Sequence, residues 1–242
     1  MNWVLNNLDL IWSLSVDHLR QSIIPIVLGF VISLPLGWLA WRYRAARGGI
    51  LTVTGLLYTI PSLALLPLLP VVLGTPYVSE VNLVVALTVY AIALMVRSVS
   101  DGLGSVDSST RLAATAMGYP TVRRFWAVDL PLAGPVILAG LRVTAVSTIS
   151  LATVGALIGV SNLGYLFTNG SQRRIIAEVL AGIVAVLVIA LIVDFLLIIA
   201  GRMLMPWSRA GVKSKRRAPL SQRTLAVADV STAPTTRRVG AS

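Results

Sequence analysis

Five apolar segments, each of about 20 residues or more, constrain this chain more than any other feature. They cover residues 21–41, 50–73, 77–96, 132–160 and 176–199, and few charged residues fall inside them. An α-helix of about 20 residues is about 30 Å long, which matches the hydrocarbon core of a bilayer. The sequence therefore predicts an all-α membrane protein with five transmembrane helices.

Composition excludes several other classes of protein. Charged residues make up 12% of the 242 residues, whereas about 25% is typical of soluble domains. Because cysteine is absent, disulfides and thiolate metal sites are excluded. The one histidine, His18, lies beside Arg20 and is expected at the surface, so no metal site is expected. The lack of paired carboxylates argues against a membrane enzyme.

The two ends of the chain differ from its apolar centre. Residues 1–17 place Asn and Asp between apolar residues at helical spacing, which predicts an amphipathic helix on the outer, periplasmic surface of the membrane. A partly ordered tail is the alternative. Residues 18–205 form the predicted membrane domain. Residues 206–242 are basic and rich in Ser, Thr, Pro and Ala, so we expect a disordered cytoplasmic tail that contacts lipid headgroups and no nucleic acid.

Lysine and arginine are distributed unevenly between the predicted loops. They concentrate between the first and second spans, between the third and fourth, and after the fifth, whereas the other loops carry only Arg20, Arg173 and Arg174. In membrane proteins the cytoplasmic loops carry the excess of positive charge. The distribution predicts that the N-terminus lies outside and the C-terminus in the cytoplasm. The +11 net charge is therefore explained by topology and the tail.

Residues 98–131, between the third and fourth spans, carry helix signals of their own. Asp107 or the serine that follows it can cap a short helix, and Gly118 suits the left-handed position just beyond a helix end. Pro120 suits the first turn of a second short helix. The two predicted helices, which meet at an angle, cover residues 109–117 and 121–128.

The same loop carries a sequence pattern. The letters LAATAMG are followed, after nine residues, by VDLP. This arrangement resembles the EAA loop of ABC-importer permeases, in which Glu-Ala-Ala precedes a glycine and an Ile-x-Leu-Pro group at the same spacing. The matching positions are Ala113, Ala114, Gly118, Leu130 and Pro131, with Val128 in place of the isoleucine and Leu112 in place of the glutamate.

The resemblance covers roughly residues 18–200 and is to the osmoprotectant branch, the glycine betaine, choline and proline permeases. It implies a type I ABC importer (MetI-like) permease fold in a bacterial plasma membrane, with a second identical or homologous permease subunit completing the pore. It also implies that the loop docks on separate ABC ATPase subunits, and that an extracytoplasmic substrate-binding protein delivers the substrate. ATP and Mg would be bound by the ATPase, and no cofactor is expected in this chain, which lacks a phosphate-binding loop.

Two charged residues lie inside predicted spans. Arg142 falls about 10 residues into the fourth span, roughly 15 Å from its cytoplasmic end, and Asp194 lies toward the cytoplasmic end of the fifth. A charge at such depth is costly unless it is paired, so we expect an Arg142–Asp194 ion pair. The pair either links a pore-lining helix to the loop or simply holds two helices together.

Candidates for lining the pore come from the second and third spans. Pro61, with Pro67 and Pro70, removes backbone hydrogen bonds and is expected to bend the second span. Tyr58 and Tyr90 offer aromatic faces of the kind that bind quaternary ammonium groups.

The segment 161–174 is predicted to be an outer loop with turns at Gly164 and Gly170. It could serve as a contact for the binding protein, as an outer gate or as a plain connector. These three roles stay open at the level of the sequence.

Other functions remain as alternatives. A permease of the same fold for methionine, phosphate or molybdate is the nearest. An ion-coupled secondary carrier belongs to another class, and the absence of an internal repeat and the scarcity of intramembrane acids argue against it. The exact substrate and the choice between a homodimeric and a heterodimeric pore stay open.

Overall fold

A computed structural model of the chain describes residues 2–209, most of which are helical. The helices are α1 (Asn2–Asn6), α2 (Leu8–Arg42), α3 (Arg44–Thr59), α4 (Ser62–Leu73), α5 (Glu80–Gly104), α6 (Ser108–Ala116), α7 (Thr121–Arg124), α8 (Leu130–Ala152), α9 (Gly164–Gln172) and α10 (Ile176–Leu204). A π-helical turn, Phe125–Asp129, joins α7 to α8, and a 3₁₀ segment, Thr153–Ile158, follows α8. Pro206–Arg209 form another short 3₁₀ segment. The rest of the predicted tail, residues 210–242, lies outside the described residues.

Within residues 2–209, four helical runs are long and apolar enough to cross a membrane: α2, α5, Thr121–Ile158 and α10. The remaining predicted span corresponds to α3 and α4, which meet at 103°, so the chain has five spans if this bent pair counts as one. The break lies at Ile60 and Pro61, where the backbone is extended, because a proline ring disfavours the helical conformation of the residue before it. Pro67 and Pro70 lie inside α4 without ending it.

Helix α5 is the centre of the bundle. It lies parallel to α2, where Gly29 faces Ala91, and antiparallel to α8, where Gly140 faces Ser98. A Cβ at Gly29 would lie 2.4 Å from the Cβ of Ala91, so the small residue sets how closely the two helices approach. Most apolar side chains of α10 face outward instead, as suits a helix that contacts lipid or another subunit.

The two ends of the bundle differ in their polar groups. At the first, which we call the basic end, α2 and α5 finish, α8 begins and Arg47 lies 3.6 Å from Asp101. At the opposite end α5 begins, α8 finishes, and Arg20 forms a 2.6 Å ion pair with Glu80. The loop that contains α6 belongs to the basic end, because it connects the end of α5 to the start of α8.

The boundaries of two predicted segments differ from those in the structure. No separate helix ends near residue 17, because α2 runs without interruption from Leu8 through His18 to Arg42. The second loop helix, predicted over residues 121–128, is also wrong as a separate element. From Thr121 the chain passes through the π-turn into α8 as one helical run.

The predicted outer loop over residues 161–174 is wrong as well, because most of it forms α9. Gly164 and Gly170 are not turn residues but lie within this helix. A Cβ at Gly164 would lie 1.9 Å from the carbonyl oxygen of Thr153. The glycine therefore serves close packing against the 3₁₀ segment, and the sequence pattern alone did not distinguish this role from a turn.

Candidate functional site

Helix α6 lies at the basic end and is bounded by the two signals that the sequence predicted. Asp107 is its N-cap, and its carboxylate accepts a 2.7 Å hydrogen bond from the N–H of Ser109. Hydrogen bonds from the hydroxyl and the N–H of Ser109 hold the pKa of Asp107 below its usual value. After the helix, Gly118 has φ +82°, a conformation that glycine adopts without steric cost. Both cap predictions are confirmed.

The residues of the predicted docking loop divide between two faces. Ala114 is buried, whereas Ala113 and Gly118 are exposed, and Val128, Leu130 and Pro131 are half-buried near the start of α8. Leu112, which stands where the resembling motif has glutamate, is 71% exposed, as is Met117. These two apolar side chains are therefore uncovered on α6 and on the turn that follows it.

The sequence reasoning missed a charged cluster behind this surface. Asp129, the last residue of the π-turn, is 1% exposed. One carboxylate oxygen accepts a 2.8 Å hydrogen bond from Nε of Arg111 on α6, and the other lies 3.4 Å from Nε of Arg124 on α7. A signal was available, because Asp129 is a lone acid in an apolar run and arginines stand nearby in the sequence.

Arg111 also reaches two other helices at the basic end. Its guanidinium lies over the ring of Trp41 on α2, with Cζ 4.5 Å from the ring centroid, and one of its nitrogens donates to the carbonyl of Leu103 on α5. The base of α6 is thus tied to α2, α5 and the start of α8 through one side chain.

The predicted intramembrane charges lie side by side. Nε and Nη2 of Arg142 donate to the two carboxylate oxygens of Asp194 at 2.6 and 2.7 Å. The two side chains are 39% and 23% exposed, so the pair lies on the flank of the bundle and joins α8 to α10. Bidentate geometry satisfies both groups at once, which lowers the cost of holding them in an apolar setting.

The three candidates for lining the pore lie together at the break between α3 and α4. The hydroxyl of Tyr90 donates a 2.6 Å hydrogen bond to the carbonyl of Ile60, next to Pro61. The rings of Tyr58 and Tyr90 meet edge to face with centroids 6.1 Å apart. Tyr90 is buried, while Tyr58 is about half exposed. The buried hydroxyl therefore satisfies a carbonyl that the broken helix leaves without its usual partner.

A neutral polar network occupies the opposite end and corrects the expectation for His18. This residue is not at the surface but fully buried, with Nε2 3.0 Å from the carbonyl oxygen of Ile149. The amide of Asn162 donates to the carbonyl of Ala152 at 2.9 Å and to the side chain of Gln21 at 3.0 Å. Its own oxygen accepts the N–H of Gly164 at 2.8 Å.

The hydrogen bond to His18 is possible because α8 tightens into a 3₁₀ segment after Ala152. There the N–H of Thr153 donates to Ser150 and Leu151 instead of Ile149. The carbonyl of Ile149 is then free to bond to His18.

Comparison with known proteins adds to this geometry. Residues 29–209 match a family described as "Binding-protein-dependent transport system inner membrane component". The chain is 30% identical over 190 residues to the choline transport system permease protein OpuBB of Bacillus subtilis. The aligned region covers 78% of this chain and 86% of that protein. It is also 30% identical over 199 residues to the osmoprotectant import permease protein OsmW of Salmonella typhimurium. This second alignment covers 81% of this chain and 93% of OsmW.

A solved structure has the same fold. A chain of the MetNI methionine ABC transporter, in an inward-facing conformation, superimposes with a TM-score of 0.67 at 25% sequence identity. The match covers 81% of this chain and 95% of that chain. The predicted MetI-like, type I ABC importer permease fold is therefore confirmed.

Proposed function

Because this chain belongs to the family of binding-protein-dependent transport system inner membrane components, we propose that it is the permease subunit of an ATP-driven importer of an osmoprotectant such as glycine betaine, choline or proline. The observation that carries the proposal is a capped helix, α6, that is exposed at the basic end of a bundle with this fold. Curated relatives transport choline, glycine betaine, carnitine and osmoprotectants. These similarities favour the osmoprotectant branch over methionine, phosphate or molybdate.

In this proposal the basic end faces the cytoplasm, where its arginines follow the usual charge bias. Helix α6 docks on a separate ABC ATPase, which binds ATP and Mg. Leu112 and Met117, both exposed, offer an apolar contact where the family pattern has a carboxylate. Motion of the ATPase then reaches the bundle through α6.

The opposite end faces the binding protein, and α9 is the helix that would receive it. A second permease subunit, identical or homologous, would cover the outward-facing side chains of α8 or α10. Tyr58 and Tyr90 stand beside the only broken span among residues 2–209, where an aromatic face can meet a quaternary ammonium group. Arg142 and Asp194 hold α10 against α8 while the pore changes shape.

The test is reconstitution of the chain with its ATPase and binding protein in liposomes. Uptake of labelled glycine betaine, choline and proline is compared with that of methionine, phosphate and molybdate. We expect uptake of an osmoprotectant that needs ATP inside the liposome and no ion gradient. Uptake driven by an ion gradient without ATP would contradict the proposal and favour a secondary carrier.

A substitution tests the coupling role of the loop. Gly118→Asp places a Cβ at φ +82° and a negative charge at the docking surface. Gly49→Asp is the matched control, because it adds the same side chain to α3 where no atom lies within 4 Å of the new Cβ. We expect Gly118→Asp to abolish ATP-driven uptake while Gly49→Asp retains most of it. Unimpaired uptake by Gly118→Asp would show that α6 does not couple to the ATPase.

A further inference from the structure

A single buried carboxylate connects the docking helix to the start of α8. Asp129 is 1% exposed, and its two oxygens are divided between Arg111 and Arg124, at 2.8 and 3.4 Å. The arginine side chains are 17% and 19% exposed. No other ion pair among residues 2–209 has a partner as deeply buried. If one partner of this cluster is lost, water cannot take its place, as it does at a surface ion pair.

The cluster closes into a ring through Thr115. Arg124 donates to the hydroxyl of Thr115 at 2.8 Å, and that hydroxyl donates to the carbonyl of Arg111 at 2.9 Å. The guanidinium of Arg124 is therefore held twice, by Asp129 and by Thr115 on α6. Two arginines share one carboxylate, and the remaining positive charge is stabilised at the guanidinium of Arg111 by the ring of Trp41 and the carbonyl of Leu103.

The backbone at Asp129 has an unusual form. Phe125–Asp129 is a π-helical turn, and such turns are rare and occur often at functional sites. A π-turn takes in one extra residue, which rotates the side chains on one side of it by about 100° relative to those on the other. The turn thus lies between the segment that holds Arg124 and the helix that begins at Leu130.

We infer that Asp129 is a positioning residue that, through Arg111 and Arg124, fixes the orientation of α6 relative to α8. Without the cluster, α6 is joined to the bundle through non-helical residues 105–107 and 117–120, which can absorb a displacement. With it, α6 and the start of α8 move as one body. A force on α6 then tilts α8 instead of bending the loop. That last consequence rests on the proposed function, whereas the orientation itself does not.

The chain has no cysteine, so pairs of introduced cysteines can carry spin labels in the full-length protein within the reconstituted complex. Thr110→Cys and Val143→Cys place labels at exposed positions on α6 and α8, away from Leu112, and their distance distribution is measured by pulsed electron paramagnetic resonance. We expect Asp129→Asn to broaden this distribution. Asp101→Asn is the matched control, because Asp101 lies at the same end, is 55% exposed and is paired with Arg47; it should leave the distribution unchanged.

Arg124→Gln provides a second variant, in which Arg111 and Asp129 remain as a neutral pair. It should fold even if Asp129→Asn does not, and we expect an intermediate broadening. The inference is overturned if a variant that folds gives a spin-label distance distribution as narrow as that of the chain that keeps Asp129 and Arg124.

Transport supplies the readout that a purely structural role would leave unchanged. At equal assembly with the ATPase, we expect Asp129→Asn to lower the ratio of substrate imported to ATP hydrolysed on the order of tenfold, and Asp129→Glu to recover part of it. A lower yield of complex with an unchanged ratio would overturn the transmission role. If the unsubstituted chain neither binds an ATPase nor transports, the proposed function fails, and the distance measurement in the chain alone still decides whether Asp129 orients α6.

Discussion

Helix α8 is tied to its neighbours at both ends, but by different chemistry. At the basic end the tie is ionic, with Asp129 between Arg111 and Arg124. At the opposite end it is neutral, with His18 and Asn162 bonded to the carbonyls of Ile149 and Ala152. Charged groups are held strongly only when every partner is in place, whereas neutral hydrogen bonds each contribute modestly and separately.

The two ends of α8 are therefore attached to the bundle by different kinds of interaction. The ionic end joins α8 to α6, on which the side chain of Leu112 is exposed. The neutral end joins α8 to α2 directly through His18 and Ile149, and indirectly through Asn162, whose amide bonds to both Ala152 and Gln21. Between them, the Arg142–Asp194 pair attaches α10 along the flank. Each of these attachments can be broken by substituting one residue or a pair of residues.

The largest expected effect is at the ionic end. Asp129→Ala leaves two guanidinium groups without their anion and should lower the free energy of unfolding by about 3 kcal/mol, the lower part of the range for a broken buried pair, since the arginines keep some exposure. Thermal unfolding in detergent, followed by tryptophan fluorescence, measures the loss. A change as small as that of Asp101→Ala, which removes an exposed acid at the same end, would mean that burial does not make the Asp129 cluster important for stability.

A smaller loss is expected at the neutral end. Asn162→Ala removes the bonds to Gln21, Ala152 and Gly164 and should cost about 2 kcal/mol, the usual cost of leaving buried polar groups unsatisfied. Hydrogen exchange should accelerate at the start of α9, while α6 keeps its protection. Accelerated exchange in α6 would show that the two ends are not independent.

The pair on the flank should matter less again. Arg142→Gln and Asp194→Asn each leave one charge alone, so the double variant should be more stable than the sum of the two losses predicts, by about 1 kcal/mol. The four proteins of this cycle are compared by unfolding in detergent. If the double variant is no better than the sum of the single ones, the two residues do not stabilise each other.

The smallest effect concerns the N-cap of α6. Asp107 is fully exposed, and because its pKa is lowered by Ser109, its contribution is present at neutral pH and disappears as the pH falls through the lowered value. Asp107→Ala should speed amide exchange in the first turn of α6 without changing global stability. The exchange rates of the two proteins should converge in acid. A difference that persisted there would mean that the carboxylate does not act as the cap.

Local signals in the sequence predicted local structure well. The cap at Asp107 and the left-handed conformation of Gly118 each depend only on residues within one helical turn, so the position of α6 could be predicted. The pairing of Arg142 with Asp194 was also expected, because two opposite charges in apolar spans have few other partners. The break at Pro61 was expected as a bend, and its size, 103°, was not.

The residues that were missed contact partners on other elements of the fold. His18 was taken for a surface residue because nothing near it reveals that the carbonyl of Ile149 is free. Asp129 was read as a variable position of a motif, because its partner Arg111 lies across a turn. Gly164 was read as a turn former because its contact, the carbonyl of Thr153, belongs to another element.

The sequence by itself determined that this chain resides in a membrane, which segments are apolar enough to span it, and which residues cap the two ends of α6. These properties follow from hydropathy and capping, which act over a few residues. Only the tertiary structure decided which polar groups are buried together, that the second span breaks at 103°, and that one carboxylate joins α6 to α8. Burial and pairing depend on residues that lie far apart in the chain and become neighbours only when the helices pack.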